Sequence, residues 1–147
     1  MSELLRLFEE YMKTEKRSSA NTVSSYLRDA SQFEAEMLDR DCLLTEVQKG
    51  DVEDYIHILI RRGKSAATVT RSIASIRCFY RCLVDLGLTD HDPTKGVTPV
   101  KVERKLPQVL TSKEVELFLE QPQCTDLKGY RDRAMLELLY ATGIRVS

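Results

Sequence analysis

The sequence predicts an all-α protein: a four-helix bundle, then a linker and two further helices. Three observations carry that prediction. Apolar residues recur at helical spacing in four segments of the first 87 residues, each bounded by capping side chains or glycine. No stretch sustains the alternation of a half-buried strand, and no Asn-Gly or Asp-Gly pair marks a hairpin. Four amphipathic helices on short loops bury about the surface that a small independent domain needs.

The first helix is expected from Glu3 to Glu15, with Leu4, Leu5, Phe8, Tyr11 and Met12 on one face. Ser18 and Ser19 offer caps for a second, whose stripe is Val23, Tyr26, Leu27, Ala30, Phe33 and Met37. Asp51 is placed to cap a third, bearing Val52, Tyr55, Ile56, Leu59 and Ile60 and closed by Gly63. Ser65 caps a fourth, from Ala66 to about Asp85, with Val69, Ile73, Ile76, Tyr80 and Leu83 inward and Gly87 as its stop. Over 88–110 Pro93, Pro99, Pro107 and Gly96 break the pattern, and Lys101, Arg104 and Lys105 charge it. That segment reads as an extended linker with a basic stripe. Thr111-Ser112-Lys113-Glu114 is a capping box that opens a fifth helix bearing Val115, Leu117, Phe118 and Leu119. A sixth follows from about Gly129 to Ala141, ending in an apolar run that Gly143 can cap in the left-handed conformation. These two helices bury too little alone, so residues 111–147 read as the start of a larger domain.

The balance of 42% hydrophobic and 31% charged residues is that of a soluble globular protein. No apolar run approaches a membrane span, and Met1-Ser2-Glu3-Leu4-Leu5 lacks the layout of a secretory signal. Cys42, Cys78, Cys82 and Cys124 show no paired metal-ligand spacing, so reduced, buried or half-buried thiols in a cytoplasmic protein are expected, with no metal and no cofactor. His57 lies within an apolar helix and His91 in the linker, and neither has a partner suited to general-base work.

The net charge of −1 hides an uneven distribution. Residues 1–50 hold 7 basic and 10 acidic side chains, whereas residues 51–105 hold 10 and 7. No Asp or Glu occurs from Tyr55 through Val84, a stretch that contains Arg61, Arg62, Lys64, Arg71, Arg77 and Arg81. Solvated faces normally mix both signs, so this bias points to a polyanion partner. On a helical wheel Arg71, Arg81, Lys64, Thr68 and Ser75 lie opposite the stripe led by Val69, with Arg77 at the boundary. Small residues let such a helix approach a duplex closely, and Ser and Thr hydroxyls can bond phosphate oxygens.

The stretch Ser65-Ala66-Ala67-Thr68-Val69-Thr70-Arg71-Ser72-Ile73-Ala74-Ser75-Ile76-Arg77-Cys78-Phe79-Tyr80 resembles the fourth helix of the core-binding domain of tyrosine site-specific recombinases of the phage integrase family. The likeness is strongest to the Xer-type chromosome-resolution enzymes. Ser18-Ser19-Ala20-Asn21-Thr22-Val23, up to Tyr26 and Asp29, resembles the second helix of that domain. Asp92-Pro93 and Leu106-Pro107-Gln108-Val109-Leu110-Thr111 resemble its linker and the entry to the catalytic domain. Tyr130-Arg131-Asp132-Arg133-Ala134-Met135-Leu136, running on to Leu139-Tyr140-Ala141-Thr142-Gly143-Ile144-Arg145-Val146-Ser147, resembles the segment that carries the first catalytic arginine, here Arg145.

The resemblance implies a SAM-like core-binding bundle over 1–87, a linker over 88–110 and the beginning of an α-rich catalytic domain over 111–147. It implies double-stranded DNA and further recombinase protomers as partners, and strand exchange at short paired sites through a 3′-phosphotyrosyl intermediate. Carried over by position, the DNA contacts are Ser19, Asn21 and Thr22 on the second helix. On the fourth helix they are Lys64, Ser65, Thr68, Arg71, Ser72 and Arg77, with Lys101, Arg104 and Lys105 following the linker. The family's lysine, His-x-x-Arg segment and nucleophilic tyrosine would lie beyond Ser147, so this chain alone is expected to bind DNA and catalyse nothing. Tyr130 and Tyr140 are expected to pack rather than attack. Two other readings stay open: a helical module that binds protein through its acidic first fifty residues, and a naturally short, catalytically dead regulator that occupies recombination sites.

Overall fold

The computed structural model describes residues 2–98 and 108–145. Among these residues there are six α-helices and no strand: α1 Glu3–Thr14, α2 Ala20–Leu38, α3 Lys49–Arg61, α4 Ala66–Asp85, α5 Ser112–Leu119 and α6 Leu127–Thr142. Helices α1–α4, with the chain through residue 98, form one unit, and residues 108–145 belong to another.

The helix starts follow from local chemistry. The Ser19 and Ser65 side chains accept the Thr22 and Thr68 backbone N–H groups, satisfying donors that the first turn leaves free. Thr111 and Glu114 cap each other reciprocally at α5. Helix α3 begins earlier than its sequence suggests. Asp51 is not its cap but sits in its first turn, where its carboxylate accepts the Gln48 N–H at 2.8 Å. An acid there suits the positive end of the helix as well as a cap position does.

Helix α4 is the hub of the first unit and packs against α1, α2 and α3. Phe8 meets Phe79 edge-on at 5.4 Å, and Phe33 stands edge-on to both Tyr55 and Tyr80. Such T-shaped pairs add roughly 0.5–1.5 kcal/mol each to what burial provides. The Tyr80 hydroxyl donates to the Leu44 carbonyl at 2.9 Å, which ties the α2–α3 loop to the core. The Tyr11 hydroxyl donates to Asp85 at 2.7 Å and ties α1 to the end of α4. Ile60, expected inside, is exposed.

Residues 88–98 are not an extended linker. Pro93, Thr94 and Val97 are buried, and Asp92 accepts both the N–H and the hydroxyl of Thr94 in a tight local turn. His91 Nε2 lies 2.9 Å from the Val47 carbonyl, and Arg77 donates to the Val97 carbonyl at 3.3 Å. Prolines and a glycine mark the end of helical periodicity, but they do not say whether the chain then leaves the surface. Here it returns to the bundle.

In the second unit α5 and α6 pack on each other. Gly129 is the only one of its described residues that is buried, and a Cβ there would overlap the Gln123 carbonyl oxygen. Leu117, Phe118, Met135 and Leu138 are exposed. Tyr130 and Tyr140, expected to pack, are exposed as well.

Two expected outcomes follow from this contrast and from the buried ionisable groups. Amide hydrogen exchange should show strong protection in α1–α4 and fast exchange in α5 and α6, because local opening is governed by buried apolar contacts. Burial pushes the Cys82 thiol from its ordinary 9.0 up to about 11, with the neighbouring Cys78 and Asp85 adding to the shift. Burial and the bond to Asp85 push Tyr11 from 10.0 to about 12. Both groups hold their protons more tightly folded than unfolded. Their contribution is therefore intact below about pH 9 and is lost as pH rises through about 11 to 12. The urea midpoint of unfolding, followed by circular dichroism, should fall between about pH 8.5 and about pH 11.

Candidate nucleic-acid interface

Because α4 is covered on three sides, little of it faces solvent. Its exposed positions are Ala67, Arg71, Ala74, Arg77 and Arg81, then Val84 and Asp85 at the end. Their spacing of three and four residues is that of one strip along a helix. From Ala67 to Arg77 the strip alternates alanine with arginine, which places long donors between positions where a backbone can come close. Sequence periodicity assigns Ser75 to this face, but Ser75 is fully buried and Ser72 is 4% exposed. The wheel supposes one packing partner, whereas α2 and α3 cover flanks that it leaves in water.

The N-termini of α2 and α4 share a Ser-Ala-x-Thr pattern, Ser19-Ala20-Asn21-Thr22 and Ser65-Ala66-Ala67-Thr68. In each, the serine side chain caps the helix and lies 2.9 Å from the threonine hydroxyl. Ser19, Asn21 and Ser65 are exposed, while Thr22 and Thr68 are half-buried. Lys64, just before the Ser65 cap, is exposed beside the amides and positive dipole end of α4.

The acid-free segment of sequence is not free of acids in space. Arg62 Nη2 lies 2.9 Å from Glu36, and Arg71 makes a two-pronged pair with Asp29 through Nε and Nη2, both at 3.0 Å. Asp29 and Glu36 stand on α2, outside the acid-free run from Tyr55 to Val84. Among the described residues Lys64, Arg61, Arg77 and Arg81 make no salt bridge, so these four keep their full charge for a partner. Arg71 is held instead, and the bond to Asp29 pushes its guanidinium above the ordinary arginine value.

Two clefts border the strip. One is lined by Arg28, Asp29, Gln32, Lys64, Thr68 and Arg71, and the other by Lys16, Arg77, Cys78, Arg81 and Asp92. Asp29, Arg28 and Gln32 have no place in the sequence-derived site. Their signal would have been a carboxylate and two polar residues on one side of α2, which says nothing alone about a partner 42 residues away. Lys101, Arg104 and Lys105 lie outside the described residues. Arg145 is exposed in the second unit, two residues past Gly143, whose left-handed φ of 63° closes α6 with its N–H on the Leu139 carbonyl. His57 is exposed, and His91 is taken up by the Val47 carbonyl. Among the described residues no cluster of His, Cys, Asp or Glu could hold a metal ion, and no helix is long and apolar enough to cross a membrane.

Several known proteins are similar to this chain. Residues 5–87 match the family model described as the phage integrase N-terminal SAM-like domain. The chain is 39% identical over 140 residues to a protein of Caldanaerobacter subterraneus subsp. tengcongensis named as a tyrosine recombinase, covering 95% of this chain and 48% of that one. It is 40% identical over 142 residues to the tyrosine recombinase XerD of Oceanobacillus iheyensis, covering 95% and 48%. The crystal structure of XerA recombinase superposes with a TM-score of 0.52 at 26% identity, over 98% of this chain and 47% of that one. The chain thus spans about half the length of the curated relatives it matches. The family match covers most of the first unit, including all four helices that build and flank the basic strip, and the chain belongs to the tyrosine recombinases of the phage integrase family through this N-terminal SAM-like domain.

Proposed function

We propose that the first unit is the duplex-DNA-binding domain of a tyrosine recombinase that cuts and rejoins DNA at short paired sites. The observation that carries this reading is the arginine–alanine strip of α4, set beside the unpaired Lys64 and the capped N-terminus. A strip one helix wide, basic and with alanines at two of its positions, fits a major groove, with its cations on the flanking phosphates. Ser19, Asn21, Thr22, Ser65 and Thr68 supply short polar groups at two exposed helix starts for the sugar–phosphate backbone.

The chain after residue 98 then connects this domain to a catalytic one that begins near Thr111, with Lys101, Arg104 and Lys105 following the backbone. Arg145 is the first catalytic arginine of that domain, its fork of donors suited to the charge that grows on a phosphate under attack. A tyrosine nucleophile, further protomers of the recombinase and a cytoplasmic setting belong to the same reading.

Gel-shift titration of a short duplex at two salt concentrations tests it. Lys64→Glu and Arg81→Glu should each weaken binding by roughly 1–3 kcal/mol, and affinity should fall steeply as salt rises. Binding that ignores both reversals and the salt would instead favour a protein-interaction module.

A further inference from the structure

Asp29 is 3% exposed, yet its carboxylate is fully engaged. Oδ2 accepts Arg71 Nε at 3.0 Å and the Ser75 hydroxyl at 2.9 Å, and Oδ1 accepts Arg71 Nη2 at 3.0 Å. A guanidinium has five N–H groups in a rigid plane. The two that face Asp29 belong to its side edge. The end edge, made of Nη1 and the second hydrogen of Nη2, is still a two-pronged fork. It lies away from Asp29 on a side chain that is 47% exposed, at the border of a cleft shared with Arg28, Gln32, Lys64 and Thr68.

The pairing changes what this arginine can do. Arg71 and Asp29 together are neutral, so the pair offers little long-range pull on a phosphate, and a phosphate brought to Arg71 would also meet the Asp29 charge. What remains is a fixed pair of parallel donors on the solvent strip of α4. Such a fork selects by geometry, and the matching target is two adjacent acceptors such as O6 and N7 on the major-groove edge of guanine. Held on one edge, the fork also loses less freedom on binding than a mobile arginine would.

We propose that Arg71 is a sequence-reading arginine whose free edge takes a guanine in the major groove, and that Asp29, with Ser75 behind it, is a positioning residue that never touches DNA. This rests on the DNA-binding reading above. It separates Arg71 from Lys64 and Arg81, which bind charge and not sequence.

The experiment uses the full chain. Enrichment from a randomised duplex pool defines the preferred sequence, and fluorescence anisotropy then compares preferred and scrambled duplexes at several salt concentrations. Variants are measured well below their melting midpoints. Arg71→Ala, Arg71→Lys and Asp29→Asn should each lower affinity for the preferred duplex about tenfold and erase the preference at one G·C pair. Arg71→Lys, which keeps the pair neutral, should leave affinity for the scrambled duplex and the salt slope at the wild-type values, and Asp29→Asn, which uncovers a cation, should not lower that affinity. Lys64→Ala should do the reverse, flattening the slope by about one for every sequence. Asp29→Asn should add nothing once Arg71 is alanine.

The inference is overturned if Arg71→Lys keeps the preference, if the Arg71 variants weaken all duplexes equally, or if Asp29→Asn still lowers binding in the Arg71→Ala background. Salt-sensitive binding by the wild-type chain with no preferred base at any position sinks this inference alone. Failure of the wild-type chain to bind any duplex sinks the DNA-binding reading and this inference with it.

Discussion

A helix of 20 residues that packs against three others can leave only a narrow arc to solvent, and α4 is such a helix. Its buried arc runs through Val69, Ser72, Ile73, Ser75, Ile76, Phe79, Tyr80, Cys82 and Leu83. The edge-on contacts of Phe79 with Phe8 and of Tyr80 with Phe33 fix its rotation, because a turn of even one residue would pull an aromatic ring out of each pair. Rotation and axis once fixed, the positions of Arg71, Arg77 and Arg81 along the exposed strip are fixed too. Side chains carried on the most enclosed helix of a bundle are spaced by the core, and would need little ordering on binding the partner proposed above.

The same enclosure sorts the cations. Asp29 is buried where α2 meets α4, and a buried carboxylate is costly unless its lone pairs are filled. Three donors fill them, two from Arg71 and one from Ser75. Glu36, also on α2, takes Arg62 and Arg40 into a looser, more exposed set of ion pairs. Exposed pairs of that sort are worth about 0–1 kcal/mol, so they shape the surface potential more than the stability. The basic segment therefore presents two chemistries: Arg61, Lys64, Arg77 and Arg81 retain their charge, while Arg62 and Arg71 have spent theirs on α2.

What was legible in the sequence is what depends on near neighbours. Ser19, Ser65 and the Thr111–Glu114 box act within one helical turn, and each stands where its residue type demands. The all-helical class follows from the period of the apolar stripes, which survives any arrangement of the helices. Asp51 shows the limit of even that local logic, since an acid suits the first turn as well as the cap. Ser72 and Ser75 show a second limit, because their burial depends on how many helices surround α4. The pairing of Asp29 with Arg71 spans 42 residues and has no periodic signature. A count of charges along the chain made this segment look uniformly basic, and only the packing of α2 against α4 divides it.

Arg145 poses the complementary problem. Its backbone position is set as locally as any capping serine: Gly143 ends α6 in the left-handed conformation and directs the chain away from the helix axis. Position alone does not make an arginine useful to a phosphate. The charge that grows in a transition state is stabilised by donors that are already oriented and shielded from water, and orientation comes from packing around the donor. Arg71 has that support from Asp29, Ser75 and the core beneath α4, whereas Arg145 is exposed beside an exposed Ile144. The apolar residues of α6, among them Met135, Leu138 and Tyr140, form the surface on which such support could be built. One chain thus carries an arginine whose geometry its own fold completes and another whose geometry needs a further packed layer. If the proposed roles hold, that difference, more than their shared chemistry, separates reading a duplex from acting on its backbone.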